Sequence, residues 1–181
     1  MRKRLKSSFF FVPVFLCTGL LGCETVSTVQ VQQQFEKPQQ QLIRIERCIN
    51  RTEYRGEHDL EAESTRTFMQ KIQESGLFQI VADAPFVLTC DIERFAEGSA
   101  AKRWLMPGWG ATQAEVVVMV WEKPGDKVLA SFRSKTGVRE GGLYTVGADQ
   151  YILGAAFDDI IKQLRAWAHG VEPEKQRQKS Y

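Results

Sequence analysis

Few side chains of this 181-residue chain have the type and spacing that catalysis requires. Its two histidines, His58 and His169, lie in a predicted loop and just past the last predicted helix, and neither has a second ligand at metal-site spacing. The serines lack the Gly-x-Ser-x-Gly turn of hydrolases, and Cys48 and Cys90 have no base nearby in the sequence. The sequence therefore predicts no catalytic residue and no metal site.

Paired carboxylates and clustered glycines are the remaining features that could carry chemistry. Asp158 and Asp159 are neighbours in a predicted helix, where consecutive side chains point about 100° apart, so we expect them on a solvent-exposed surface. Glu93 and Glu97, at the end of a predicted strand, are the carboxylates that a hydrolase would use first. The glycines at 137–147 lack the Walker spacing and its Lys-Ser/Thr ending, so they indicate turns, and no cofactor is expected.

The N-terminus has the layout of a secretory signal. The first six residues carry four positive charges and no acidic side chain, and residues 9–21 are almost wholly apolar. This apolar run is shorter than the roughly 20 residues that a membrane span needs, and it ends in small residues. We therefore predict that residues 1–22 are a signal peptide that is removed.

The stretch Leu20–Cys23 (Leu-Leu-Gly-Cys) resembles the lipobox of bacterial lipoproteins, in which the cysteine thiol takes a diacylglycerol and cleavage leaves it as the first residue. The resemblance implies a lipid anchor on Cys23, and two or more acyl chains hold a protein stably at a bilayer. Glu24 follows in place of the Asp that favours inner-membrane retention in enteric bacteria, which indicates the outer membrane. The alternative is an ordinary secretory peptide, or an uncleaved anchor, in which Cys23 is incidental.

Removal of the signal changes the charge balance of the chain. Residues 1–22 hold four of the 24 Lys and Arg and none of the 22 Asp and Glu, which leaves 20 basic against 22 acidic side chains. A net charge of −2 gives no reason to expect a nucleic-acid partner. About 159 residues remain, enough for a single domain that buries its own core.

Composition and periodicity divide the mature chain into one domain and two flexible ends. Residues 23–41 are Gln-rich and contain Pro38, so we predict a tether, and residues 170–181 are charged and predicted to be disordered. Between them, residues 42–169 should form an α+β domain, with a mixed sheet of about four to five strands and two helices packed on one face. The predicted order is strand, helix, strand, strand, strand, helix.

Helix caps and alternating apolar residues set the element boundaries. The first helix should run over 60–75, between an N-cap at Asp59 and an αL cap at Gly76, with Leu60, Ser64, Phe68 and Ile72 on its buried stripe. The other predicted elements are strands at 42–49 and 86–95, a short extended piece at 77–81, a strand around 116–121 with apolar residues on both faces, a turn at 124–127, a strand at 128–135 and a helix at 149–168.

Cys48 and Cys90 would meet an oxidising compartment outside the cytoplasm, where disulfides persist. A bond between them is one alternative. The other is a buried free thiol, which the alternation of Cys90 with Leu88 and Ile92 on a predicted strand favours.

The segment from Gly98 to Ala111 does not fit a plain soluble domain. It holds four large apolar side chains beside two cations, with Pro and Gly to bend it: Trp104, Leu105, Met106 and Trp109. Such residues suit a protein interface and are our candidate partner-binding site. They could instead fold back as a satellite of the core, or contact lipid.

The chain resembles the bacterial lipoprotein family that carries the domain of unknown function 4410, over about Leu42–Trp167. The stretches that carry the resemblance are Ser75–Phe78, Glu93–Ser99, Ala101–Leu105 with Gly108 and Gly110, Lys127–Ala130 and Gly141–Gly142. The resemblance implies a fold and an envelope location but no reaction. The fold is similar to the periplasmic α/β domains of the curli-secretion lipoprotein and of lipoprotein activators of peptidoglycan synthases, which is a fold-level analogy.

These features favour a non-enzymatic interaction or assembly factor. The chain would be held in the membrane by lipid on Cys23, face the periplasm and contact an unidentified envelope protein. The alternatives are a hydrolase acting on cell-wall or glycan material and a periplasmic carrier of lipid or small molecules.

Overall fold

A computed structural model describes residues 24–31, 42–56, 59–98, 111–138 and 148–171 of the chain. Nine elements are found in these ranges. They are β1 Glu24–Val31, β2 Leu42–Ile45, β3 Ile49–Asn50, α1 Leu60–Ser75, β4 Gln79–Ile80, β5 Phe86–Ala96, β6 Thr112–Glu122, β7 Lys127–Val138 and α2 Ala148–Ala168.

The strands form one mixed sheet in the order β1-β7-β6-β5-β2-β4, with β3 also paired to β5. β1, β7, β6 and β5 are antiparallel neighbours, whereas β2 and β3 run parallel to β5, and β4 runs parallel to β2. The predicted α+β class with a mixed sheet is confirmed. The sheet has seven strands instead of four to five, because β1 carries too little apolar alternation to be seen in the sequence and the strand predicted over 42–49 is divided in two. β4 lies within the short extended piece predicted at 77–81.

Helix α1 has the predicted boundaries because both of its ends are capped. The Asp59 carboxylate accepts a hydrogen bond from Ala62 N at 3.0 Å, and Gly76 takes the left-handed φ of 63° that its cap requires. The predicted stripe of α1 is buried along its full length, at Leu60, Ser64, Phe68 and Ile72.

The middle of the sheet is the hairpin of β6 and β7, whose turn at 123–126 includes Gly125 at φ 127° and Asp126 at φ 50°. Side chains alternate across these strands. One face, which we call the core face, carries Phe132, Val118 and Cys90 side by side across β7, β6 and β5. The other, which we call the second face, carries Arg133, Val117 and Asp91 in the next row.

Both helices pack on the core face, as predicted. Phe68 of α1 stacks on Phe157 of α2 with ring centroids 5.1 Å apart, and Trp167 of α2 meets Phe132 of β7 edge to face at 5.7 Å. These aromatic side chains are fully buried in a single apolar cluster that spans helices and sheet. No helix in the described ranges has the length and apolarity needed to cross a membrane.

Two predicted segments are corrected. The tether predicted for residues 23–41 is wrong over Glu24–Val31, which are the edge strand β1, and 32–41 lie outside the described residues. The strand predicted over 42–49 is divided into β2 and β3. Ile45 pairs with Leu88 and Ile49 with Asp91, so four residue steps on this side match only three on β5, and one residue must bulge out of the ladder. The predicted tail is described only at Gly170 and Val171.

Candidate anchor attachment and interaction surface

The residues that the sequence singles out for contact lie outside the described ranges. These are Cys23 and the four apolar residues Trp104, Leu105, Met106 and Trp109; His58 also lies outside the described ranges. The structure does place their neighbours in the chain: Glu24 begins β1, and Gly98 and Ala111 flank the aromatic segment. The structure therefore shows how the chain continues after Cys23.

The chain enters the sheet at the residue after Cys23. All eight residues of β1 pair with β7, from Glu24 opposite Gly137 to Val31 opposite Ala130. Val29 packs against the apolar core, and α2 lies over the strand. β1 is thus an integral edge strand of the domain, paired along its whole length.

A buried polar contact fastens β1 to α2. Ser27 Oγ donates to the Asp159 carboxylate, 2.6 Å from each oxygen, and Gln163 Nε2 donates to Asp159 Oδ2 at 2.8 Å. Asp159 is only 7% exposed and Gln163 only 4%. Because a buried carboxylate is costly without hydrogen-bond donors, the Ser27 hydroxyl stabilises the docked position of the strand, while Gln163, on the same helix as Asp159, stabilises the carboxylate itself. We call Ser27, Asp159 and Gln163 the polar latch.

More polar atoms lie beside the latch on β7. Ser134, directly opposite Ser27 in the ladder, and Thr136 are fully buried on the core face. Their hydroxyl oxygens and Gln163 Oε1 have no hydrogen-bond partner among the described contacts. The region beneath the C-terminal half of α2 thus holds a concentration of buried polar groups within a mainly apolar core.

The prediction that Asp158 and Asp159 share a solvated surface is wrong for Asp159. Asp158 is exposed and pairs with Lys71 of α1 at 2.5 Å, whereas Asp159 points into the sheet. The helical stripe could have revealed this, since Asp159 and Gln163 continue the i, i+4, i+7, i+11 series that starts at Ile152 and Ala156. Because both residues are polar, a search for apolar periodicity does not assign them to the buried stripe.

The second face of the sheet carries a charged cluster that crosses three strands. Arg133 of β7 donates through both terminal nitrogens to Glu93 of β5, one of them at 3.1 Å, and also to Glu115 of β6. The hydrogen bond to Glu93 raises the pKa of Arg133 above its ordinary value, burial acts the other way, and Glu115 adds to the rise. The cluster is half-exposed and carries one excess negative charge.

Apolar side chains lie next to this cluster on the second face. Val87 and Val117 are buried, and Trp121 is half-buried with its indole N–H donating to Thr89 Oγ1 at 2.9 Å. Met119 lies between them. The second face thus combines apolar and ionic side chains.

Comparison with known proteins gives a shared fold and no family. No family model matches the chain, and no curated protein matches it, so the resemblance to the 4410 family is not confirmed. Among solved structures, the hypothetical protein CT253 from Chlamydia trachomatis aligns with a TM-score of 0.51 at 13% identity, over 72% of this chain and 99% of CT253. The fold is therefore one found in bacterial proteins.

Two further solved structures align at lower scores. The PelC dodecamer from Paraburkholderia phytofirmans gives a TM-score of 0.49 at 15% identity, over 73% of this chain and 97% of PelC. XCC0632 from Xanthomonas campestris, described under family model DUF330, gives 0.48 at 20% identity, over 78% of this chain and 92% of XCC0632. At such identities the likeness concerns the fold alone.

The carboxylates proposed for a hydrolase are engaged with other side chains. Glu93 holds Arg133, and Glu97 accepts a hydrogen bond from Tyr54. In the described ranges, no group of three or more His, Cys, Asp or Glu side chains is placed to hold a metal ion.

Cys48 and Cys90 form a disulfide, with Cα atoms 4.5 Å apart. The prediction of a free buried thiol at Cys90, which the alternation of apolar residues favours, is therefore wrong. Cys48 lies in the bulged connection between β2 and β3, where its amide donates to Thr65 Oγ1 of α1 at 2.9 Å. The bond joins this connection to β5, and the sequence could not show it because the bulge is not visible there.

Proposed function

We propose that the protein is a lipoprotein of the bacterial cell envelope, anchored through Cys23, that acts by contact with another envelope protein and not by catalysis. The observation that carries the proposal is the stretch Leu20–Cys23, which ends the apolar signal one residue before β1 begins. A cleavage at this point would leave the lipidated residue directly attached to a folded domain. Glu24 favours the outer membrane, and the domain would face the periplasm.

Mass spectrometry of the mature N-terminus tests the anchor. We expect an acylated Cys23 as first residue in the membrane fraction, and an uncleaved or soluble product from Cys23→Ala. Cys17→Ala is the matched control, because that cysteine lies inside the predicted signal and should be dispensable for acylation. An unmodified Cys23 after processing at another site would contradict the proposal.

The proposed contact site for the partner consists of Trp104, Leu105, Met106 and Trp109, because aromatic and apolar side chains suit a buried interface. In-cell crosslinking should lose the partner when Trp104 and Trp109 are both replaced by Ala, while the free energy of unfolding changes by less than about 1 kcal/mol. A loss of roughly 3 to 5 kcal/mol would assign these side chains to the core and would overturn the partner site.

No specific contact among the described residues favours the two alternative functions, a hydrolase or a carrier. A hydrolase would need Glu93 free of Arg133, and substituting Glu93 and Glu97 by Gln without a phenotype would discard it. A lipid or small-molecule carrier would show a co-purified ligand in native mass spectrometry of the domain.

A further inference from the structure

The two edges of the sheet differ in how they are protected against pairing with another chain. At one edge β4 has two residues and its neighbour β2 has four, and Arg44 and Glu46 form a half-exposed ion pair there. Short strands and exposed charges are means by which natural sheets block edge-to-edge contact. The other edge is β1, whose eight residues have one sheet neighbour, β7, in the part of the chain that the structure describes. β1 is thus the long edge of the sheet.

The sequence and the regularity of β1 leave this edge without such protection. Residues 25–31 contain no charged side chain, no proline and no glycine, and three of the seven are valine. The ladder to β7 runs through eight consecutive pairs, whereas the β5–β6 and β6–β7 ladders each contain a register shift. Thr28 and Gln30 are exposed, and Val26 and Val29 are only half-buried. A regular, uncharged edge with accessible apolar side chains is a template for one more strand.

The absence of charge indicates which strand fits this edge. A strand that binds a different protein can carry charges that its partner matches. A strand that binds its own copy cannot, because a two-fold axis brings side chains of the same sign together, and like charges opposite each other are destabilising. The neutral stretch 25–31 therefore favours a second copy of this chain.

The register of such a pairing is limited by symmetry. A two-fold axis perpendicular to the sheet pairs the strands antiparallel and keeps the core faces of both copies on one side. Centred on Ser27 or on Thr28, it pairs seven of the eight residues of β1. Val26 then lies opposite Thr28 or Gln30 of the other copy. Neither register places two charged residues opposite each other.

We propose that two copies of this chain pair antiparallel through β1 and form one continuous sheet. The inference goes beyond the proposed function, because the contact is with a second copy and lies apart in the sequence from the candidate partner site. Stable interfaces bury roughly 1,200 to 2,000 Å². A single pair of edge strands supplies less, so the pairing is weak in dilute solution. A lipid on Cys23 would confine the copies to one surface and raise their effective concentration.

Crosslinking through a single introduced cysteine tests the pairing in the membranes of cells that produce the full chain. Thr28 is exposed and lies on or next to the axis in either register, so the Thr28→Cys thiols of two copies would be direct or diagonal neighbours. Gln79→Cys is the matched control, because Gln79 is exposed on the other edge strand, β4. A short bismaleimide is the probe, and mass spectrometry of the product identifies the bridged residues.

We expect Thr28→Cys to give a dimer joined at residue 28, and Gln79→Cys to give only the small amount that random collision in the membrane produces. As little dimer from Thr28→Cys as from Gln79→Cys would overturn the proposal. A crosslink from residue 28 to a different protein, without a dimer, would also overturn it, because β1 would then receive a partner's strand. Unmodified Cys23 in the same samples would overturn the proposed anchor, whereas a dimer joined at residue 28 would still support the pairing.

A charge variant tests whether the neutral edge permits the pairing. Val26→Glu with Gln30→Glu, made in the Thr28→Cys protein, places like charges opposite each other in the register centred on residue 28. In the register centred on residue 27, position 30 lies opposite Glu24 of the other copy, which is also a like charge. Val26→Thr with Gln30→Thr is the matched neutral control.

The same substitutions should leave β1 docked on its own domain. Position 26 lies opposite Lys135 of β7 and position 30 opposite Ser131, and hydrogen exchange of the β1 amides verifies the docking. We expect the charged variant to lose most of the dimer, the neutral control to keep it, and added salt to restore part of it. Undiminished dimer from the charged variant at low salt, with β1 docked, would overturn pairing through this edge.

Discussion

The two flanks of the sheet are held by different chemistry. On one flank, which we call the bridged flank, the Cys48–Cys90 disulfide fastens the β2–β3 connection to β5. Hydrogen bonds from the amides of Cys48 and Asn50 to the Thr65 and Glu61 side chains hold the same flank to α1. On the other, the latched flank, β1 is held by the ladder to β7 and by the polar latch. The flank that carries the proposed anchor therefore has no covalent closure.

This difference teaches which part of the domain should open first. An edge strand has one neighbour, and its contacts can be lost without unfolding the rest of the molecule. The bridged flank cannot separate from β5 while the disulfide is intact. We therefore expect the latched flank to exchange its amide hydrogens faster than the bridged flank, and the following predictions test this comparison.

The largest effect should come from breaking the bridge. The disulfide closes a loop with a sequence separation of 42, for which the chain-entropy model gives about 4 kcal/mol. Cys48→Ala with Cys90→Ala should lower the free energy of unfolding by roughly this amount in chemical denaturation. Reduction of the wild type should give a similar shift in the denaturation midpoint.

If reduction shifted the denaturation midpoint but the double substitution did not, loss of the Cys48–Cys90 bridge could not be the cause of the shift. The latched flank provides an internal control. Exchange of the β1 amides at 25–31 should change little relative to global unfolding when the bridge is removed.

Loss of the latch should have the next largest effect and should be local to β1. Asp159→Ala removes the acceptor of the part-buried Ser27 Oγ and leaves Gln163 Nε2 only the Arg133 carbonyl at 3.5 Å, which costs about 2 kcal/mol. Asp158→Ala is the matched control, because its side chain is 58% exposed and its pair with Lys71 contributes less than about 1 kcal/mol.

Hydrogen exchange distinguishes the latch from a general core defect. Asp159→Ala should accelerate exchange of the β1 amides while α1 keeps its protection. Equal acceleration in α1 and β1 would show that Asp159 supports the whole core, and the two flanks would then not differ in the way described above.

The same two flanks show what the sequence can predict and what it cannot. The sequence predicts helix α1 with its boundaries because its signals are local: a cap at Asp59, an apolar stripe and a glycine just past its end. It does not reveal β1, because Ser27 occupies a core-facing position and its partner Asp159 is 132 residues away. A polar side chain on a buried face has no local signal, so the pairing that explains it is visible only in the fold.

The αL caps that end the two helices give a smaller, matched test. Gly76 follows α1 at φ 63° and Gly170 follows α2 at φ 68°, so an L side chain is strained at both positions. Gly76→Ala and Gly170→Ala should each lower the free energy of unfolding by about 1 kcal/mol. A much larger loss at one glycine would show that its helix end is coupled to its flank.

The smallest effect is expected where ionic contacts join the flanks on the second face. Arg133 lies opposite Thr28 of the latched strand and reaches across β6 to Glu93 of β5. Because Arg133 is 41% exposed and Glu93 38% exposed, water screens their attraction. A double-mutant cycle with Arg133→Met and Glu93→Gln should give a coupling below about 1 kcal/mol, and added salt should reduce it.

The pH dependence of this coupling follows from the direction of the Arg133 shift. A raised pKa means that the contribution is complete below the unfolded pKa of arginine and is lost only as pH rises through the folded one. Arginine stays protonated far above neutral pH and the shift is upward, so Arg133 contributes no change in stability between about pH 6 and 9. A coupling of several kcal/mol that does not respond to salt would mean that the second face is closed to water, and the ionic cluster would then bind the flanks as firmly as the disulfide binds the β2–β3 connection to β5.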